Sequence, residues 1–386
     1  MSPMSRTEYV QAILTRYQQA TRAEKSCILD EFCRICGYHR KAALRKLRRA
    51  RQPAASRRRP GRPARYTQPA IRMPLQRIWS TAHAPCSKRL KALLPHWLGP
   101  YQATFGHLPI EVCQALLRIS PATIDRALRS IRVKSARHAR AATQPGRLLR
   151  HQIPLGTQQW DETRPGFLEA DTVAHCGTSM GGAFVFTLET TDLATGWTEQ
   201  RAVWGKGERD VLEQVRTIEA AVPFPVRGFD CDNGGEFLNW HLVRHFQDRP
   251  QPVRFTRSRA YHKNDNAHIE QKNWTHVRQW LGYLRFDQPR LVELLNELYT
   301  SEWRLFHNFC LPSVKLLDKR RVRAKIVKIH DAPKTPAQRV LASPHVPASI
   351  KQQLTLQLRG LNPFHLRQAI DQKIRRIRQL ARSHPF

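Results

Sequence analysis

"GFLEADTVAH", residues 166–175, decides the fold. It alternates in the way a strand does, and its polar positions include two carboxylates, Glu169 and Asp171. Downstream, "GAFVFTLETTDLATGWTEQRAVW" (182–204) reads as two further strands joined by a turn at Asp192–Gly196. "ERDVLEQVRTIEAAV" (208–222) has helical period, "VRGFDCD" (226–232) is a strand again, and "GEFLNWHLVRHF" (235–246) a short helix. "PVRFTRSR" (252–259) supplies a fifth strand and "NDNAHIEQKNWTHVRQWLGY" (264–283) a closing helix. The order β-β-β-α-β-α-β-α predicts an antiparallel run followed by αβ units, hence a mixed five-stranded sheet flanked by helices.

Three acids fall at strategic points of this layout. Asp171 is mid-strand in the first strand, Asp232 ends the fourth just before an Asn-Gly-Gly turn, and Glu270 lies near the start of the last helix. Strand ends and an incoming helix converge, and three carboxylates held together repel one another unless a cation joins them. Oxygen ligands suit Mg²⁺ or Mn²⁺, and two such ions can serve both the attacking and the leaving oxygen of phosphoryl transfer. Asp230 shares a strand face with Asp232 by the period of two, so the strand alone leaves either free to point at the ions. Glu169 is two residues from Asp171 on the same face, and Glu236 is placed to help start its helix. Asn266 and Asn273 lie four residues before and three after Glu270, so they share its helix face. Lys263 and Lys272 are candidates for phosphate contact, and Trp274 for core packing.

The chain around these acids is strongly basic. Its 386 residues hold 65 Lys and Arg against 30 Asp and Glu, a formal net charge of +35. Such an excess repels itself unless a polyanion offsets it, and a nucleic acid is the natural partner. No run of eighteen apolar residues is present and "MSPMSRTEYVQAILTRYQQA" (1–20) has no apolar core segment, so the expectation is a cytoplasmic, nucleoid-associated protein without membrane contact. Scattered cysteines suit a reducing compartment. Residues 1–50 read as three helices, with a break at Gly37 and a basic helix after it: a helix-turn-helix DNA-binding module whose recognition helix opens at His39, Arg40 and Lys41, or else a small three-helix bundle with a solvated basic face. Residues 51–66 are a basic linker whose "RPGRPAR" centre, with Arg62, has the composition of a minor-groove hook. Residues 67–133 read as a second helical DNA-binding module. There "SPATIDRALRSI" (120–131) has Ser120 as N-cap and Thr123 and Arg126 pointing outward. Residues 134–158 form a basic tether.

"FLEADTVAH", "DCDNGGEFLNW" and "YHKNDNAHIEQKNWTHVR", in this order, resemble the catalytic segments of the DDE transposases of bacterial insertion sequences. Thirty-seven residues separate Asp232 from Glu270 and sixty separate Asp171 from Asp232. The resemblance covers about residues 160–285. It implies a retroviral-integrase-type core with a ribonuclease-H-like fold over 159–286, and it selects Asp232 over Asp230 because the family's ligand immediately precedes Asn-Gly. By the same resemblance Asp171, Asp232 and Glu270 are the catalytic metal ligands, and the partners are double-stranded DNA, both element ends and target, bound by a homo-multimer. A repressor with a dead core and a ribonuclease-H-like nuclease are the rival readings.

Residues 287–386 are left for DNA contact or assembly. "PRLVELLNELYTSEWRLFHNF" (289–309) is amphipathic and closes the core, "VRAKIVKI" (322–329) reads as a small half-buried strand, and Leu366, Ile370, Ile374, Ile377 and Ala381 form a helix stripe. The expected fold class is thus multidomain α plus α/β: N-terminal helix-turn-helix modules, a ribonuclease-H-like sheet and a small C-terminal region.

Overall fold

The computed structural model describes residues 3–51, 66, 68–136, 163–231, 236–237, 239–257, 267–322 and 325–382. The chain divides into two units, Met1–Ala64 and Arg65–Phe386. Among the described residues no helix is long and apolar enough to cross a membrane.

The first unit holds α1 (Pro3–Gln19), α2 (Arg22–Cys36) and α3 (Arg40–Arg51). Thr21 and Glu24 open α2 with a reciprocal cap, each side chain accepting from the other's backbone N–H. Gly37, in the left-handed conformation at φ +68°, closes α2 and turns the chain into α3. Val10, Ile13, Leu29, Phe32, Ala43 and Leu47 face inward from all three helices and make the small core.

In the second unit α4 (Pro69–Thr81), α5 (Ser87–Phe105), α6 (Ile110–Arg118) and α7 (Pro121–Ala136) precede the sheet. The helices of residues 67–133, read as a second helical DNA-binding module, share one hydrophobic core with the sheet and the C-terminal helices. The reason lies in α5, whose Leu90, Leu93, Leu94, Trp97, Leu98 and Tyr101 are all buried, a wider apolar surface than α4, α6 and α7 alone can cover. Trp97 meets Phe306 and Phe364 edge-on and donates to the Cys310 carbonyl.

The sheet contains β1 (Phe167–Ala174), β2 (Val185–Asp192), β3 (Thr198–Trp204), β4 (Gly228–Cys231) and β5 (Arg254–Arg257), in the order β3-β2-β1-β4-β5. The β1–β2 and β2–β3 pairs are antiparallel and the β1–β4 and β4–β5 pairs parallel. The mixed five-stranded sheet expected from the pattern is therefore present. Gly228 is required where β4 starts: a Cβ there would sit 2.2 Å from the Phe167 ring. One sheet face packs on α8 (Glu208–Ala221) and α9 (Trp240–Gln247), where Arg201 reaches Thr217 and Phe229 stacks near Phe246.

The other face is covered by α10 (Ala267–Lys272), a π-helical stretch Asn273–Arg278, α11 (Gln279–Leu281) and α12 (Arg290–Leu298), then by π-helical turns Tyr299–Trp303 and Phe306–Cys310. It is unusually polar. Thr187, Glu189 and Thr191 of β2 and Thr198 and Gln200 of β3 are buried on it. At the outer edge of β3, Asn308 exchanges two hydrogen bonds with the Thr198 backbone (2.9 and 2.8 Å), and Asn296 does the same with Ala202 (2.7 and 3.0 Å). Arg201 donates to the Gln200 carbonyl between them at 2.7 Å. Two side-chain amides and a guanidinium thus stand in for a missing neighbour strand.

A two-stranded ribbon, β6 (Leu316–Val322) and β7 (Lys325–His330), leads to α13 (Pro336–Ala342), α14 (Ala348–Arg359) and α15 (Pro363–Arg382). The stripe on α15 is core: Ile370, Ile374 and Ile377 are buried. The 322–329 segment, read as half-buried, is exposed instead at every residue from 326 to 330.

Candidate acidic site

The parallel register sets Glu169 of β1 beside Asp230 of β4, and the antiparallel register sets Asp171 beside Glu189 of β2. Register partners point to the same side, so four carboxyl groups share the polar face. Glu169, Glu189 and Asp230 are buried and Asp171 is half-buried. Thr256 Oγ1 donates to Asp230 at 2.5 Å, which gives that carboxylate a partner on β5.

The α10 helix and its continuation are fastened to β1 at three points. Ile269 N–H donates to Glu169 Oε2 at 3.1 Å, Asn273 Nδ2 to Asp171 Oδ2 at 2.6 Å, and Arg278 Nη2 to the Ala174 carbonyl at 2.6 Å. Glu270 stands between the first two contacts along the helix. Asp171 Oδ1 also accepts from the Thr172 N–H at 2.7 Å, so hydrogen bonds hold both of its oxygens in place.

Lys272, read as a phosphate contact, is half-buried on the Glu189 side. Burial lowers the Lys272 ammonium, against the pull of Glu189. Burial also raises the Glu189 carboxyl, opposed by the hydrogen bond from Gln200 Nε2 at 3.1 Å and by the charge of Lys272. His276 Nδ1 lies 3.8 Å from Glu189 Oε1, with the His307 ring 4.4 Å away, and burial pushes both imidazoles well below the usual histidine range. Trp274, expected in the core, is exposed. Glu236 does not cap its helix: Asn239 does, accepting from Leu242 N–H at 3.0 Å, while Glu236 pairs with Lys206 and accepts from Thr172 Oγ1 at 3.0 Å.

Glu189 is the residue that sequence reading missed, and Glu236 the one whose partners it did not foresee. An acid flanked by Leu188 and Thr190 inside a strand pattern was the available signal for Glu189; nothing in sequence links Glu236 to Thr172. Asp232, Arg62, Lys263 and Asn266 lie outside the described residues, as does the side chain of Glu270. Among the described residues no group of three or more His, Cys, Asp or Glu gathers closely enough to hold a metal. Hard carboxylate oxygens are nonetheless the donor type that Mg²⁺ and Mn²⁺ take.

In the first unit His39, Arg40 and Lys41 are exposed, and Arg40 is turned back onto α2, pairing with Asp30 and donating to Ser26 at 2.6 Å. On α7, Thr123 is half-buried: its N–H donates to the capping Ser120 hydroxyl, and its own hydroxyl accepts from the exposed Arg126 at 3.0 Å.

No protein-family model matches the chain. A protein of Sinorhizobium fredii (strain NBRC 101917 / NGR234), named "Uncharacterized protein y4rM", is 40% identical over 343 residues, which cover 88% of this chain and 96% of that protein.

Proposed function

We propose that this chain, which belongs to the family of the Sinorhizobium fredii protein y4rM, is a DDE-type DNA transposase with a ribonuclease-H-like, integrase-type core. The observation that carries the reading is the fastening of α10 to β1. Hydrogen bonds from Ile269 to Glu169 and from Asn273 to Asp171 bracket Glu270 and hold its helix against the strand of Asp171. Asp232, the third acid, follows directly on Cys231, the last residue of β4, the parallel neighbour of β1. A strand order of three antiparallel strands followed by two parallel ones is also what this reading expects.

Asp171, Asp232 and Glu270 would hold two Mg²⁺ or Mn²⁺ ions, which when bound supply charge stabilisation to the attacking and leaving oxygens. Asn273 fixes the rotamer of Asp171, and Glu169 fixes the helix beside it. Thr256 holds the Asp230 carboxylate, so the acid two residues before Asp232 serves as support. The first unit and its exposed His39 and Lys41 would bind element ends as a helix-turn-helix, and the chain would work as a multimer on two ends. The +35 net charge supports a polyanionic substrate.

The test is a Mg²⁺-dependent joining assay. Wild type and Glu270→Gln are mixed with labelled duplexes carrying the sequences that flank the gene, and with supercoiled plasmid. Joined products with wild type alone support the reading. Duplex binding without cutting would favour a repressor, and cutting of an RNA–DNA hybrid without joining would favour a nuclease.

A further inference from the structure

We propose that the ribbon β6–β7 is a duplex-DNA contact that lays its basic face in the major groove. The inference rests on the reading that DNA is the substrate, and adds to it an element separate from both the first unit and the acidic face. Residues 315–330 hold seven Lys and Arg and one acid, Asp318. The register pairs Arg321 with Ile326, and by the period of two Lys328 and His330 share their side of the ribbon. Asp318, Arg320, Val322, Val327 and Ile329 take the other side, and there Arg320 is paired with Asp318. Among the described side chains, net positive charge is therefore concentrated on the first side.

The ribbon lacks a core of its own. Leu317 is 64%, Val322 54%, Ile326 56% and Val327 45% exposed. Two strands alone are marginal in water, and β-branched residues on an uncovered pair call for a partner. The ribbon is nevertheless held firmly at its base. Arg339 donates to the Ser313 carbonyl and to Asp331, Lys315 N–H donates to Asp331, and Lys315 Nζ donates to the Ala194 carbonyl in the β2–β3 turn.

Size and charge together select the occupant. Seven residues of β6 at about 3.3 Å each span roughly 23 Å, and the major groove, about 12 Å wide, admits a two-stranded ribbon. Arg and Lys match guanine O6 and N7 or the flanking phosphates, and Ile326 matches a thymine methyl. A second protein copy would meet the same like charge on its own ribbon.

The experiment compares the full chain with an Arg321→Ala, Lys328→Ala double variant on a labelled duplex over a range of salt. The variant should bind at least tenfold more weakly at low salt. Its slope of log affinity against log salt should be shallower by about 2, the loss of two phosphate-neutralising charges. Dimethyl sulfate should show guanine N7 protection by wild type that the variant loses. Both side chains are exposed, so an unchanged melting temperature would show that the fold is kept. Equal affinity, slope and N7 protection in the two proteins would overturn the ribbon proposal while leaving the acidic-site reading intact. Wild type that binds no duplex would overturn both. A Val327→Ser, Ile329→Ser variant that dissociates a multimer, with DNA binding unchanged in the double variant, would assign the ribbon to contact between copies instead.

Discussion

Strand β3 and the ribbon β6–β7 pose the same physical problem and the chain solves it in opposite ways. Among the described residues, both present strand hydrogen-bonding groups with no further strand alongside. On β3 the outward amides and carbonyls are closed by Asn296, Asn308 and Arg201, and the polar face beneath is buried under helices. On the ribbon Leu317, Val322, Ile326 and Val327 stand in solvent, and the insulation is positive charge. A sealed edge can carry a structural role, since nothing can add to it. An open, charged one is kept for a partner.

The contrast can be broken from either side. The largest effect should fall where the sealed region meets solvent, at Asp171: Asp171→Asn should lower DNA joining by ~10³-fold or more with little change in melting temperature, measured with the joining assay. A variant that joins DNA at the wild-type rate would remove Asp171 from the site. Next, Asn308→Ala should cost about 3 kcal/mol in urea unfolding, because the buried Thr198 N–H and C=O both lose their partner. A cost under about 0.5 kcal/mol would show that the edge is not sealed by this amide.

The buried face should also make stability depend on pH. Burial lowers His175 and His307 from 6.5 to about 3. Protons then favour the unfolded chain, so the contribution of each is whole above about pH 6.5 and is lost as pH falls toward 3. Glu189, raised by burial, acts oppositely above its ordinary range. A His307→Asn variant should therefore lose stability less steeply on acidification, by up to ~1.4 kcal/mol per pH unit; parallel curves for the two proteins would refute this. The smallest effect belongs to the ribbon. Val327→Thr should shift stability by less than about 0.5 kcal/mol, and a larger loss would mean that its face is packed.

Much of the sheet was legible because β1, β2 and β4 carry strand alternation and turn residues separate them. Hydrophobic pattern fails on the polar face. "VFTLETTD" is buried at every residue although five of its eight residues are polar, since hydrogen bonds from distant segments, such as the one between Tyr299 and Thr187, satisfy what sequence marks as solvent-facing. Asn296 and Asn308 look like ordinary residues of an amphipathic helix, and their pairing with β3 exists only in three dimensions. Helical period alone puts Asn273 on the Glu270 face, and in the structure it reaches Asp171. Lys272 reads as a phosphate contact because the sequence says nothing of Glu189 across the sheet. The ribbon's alternation was readable, but alternation cannot tell a strand with a partner below it from one without.

The clamp at the base of the ribbon has a consequence for rotational phase. Lys315 ties the ribbon to the turn that joins β2 to β3, and β2 is the neighbour of the strand that bears Asp171. A duplex seated on the ribbon would meet the acidic strand with a set angular phase, like a screw in a fixed nut. Adding about five base pairs between the two contacts, half a helical turn, would turn the wrong side of the double helix toward Asp171, whereas adding a full turn would restore it.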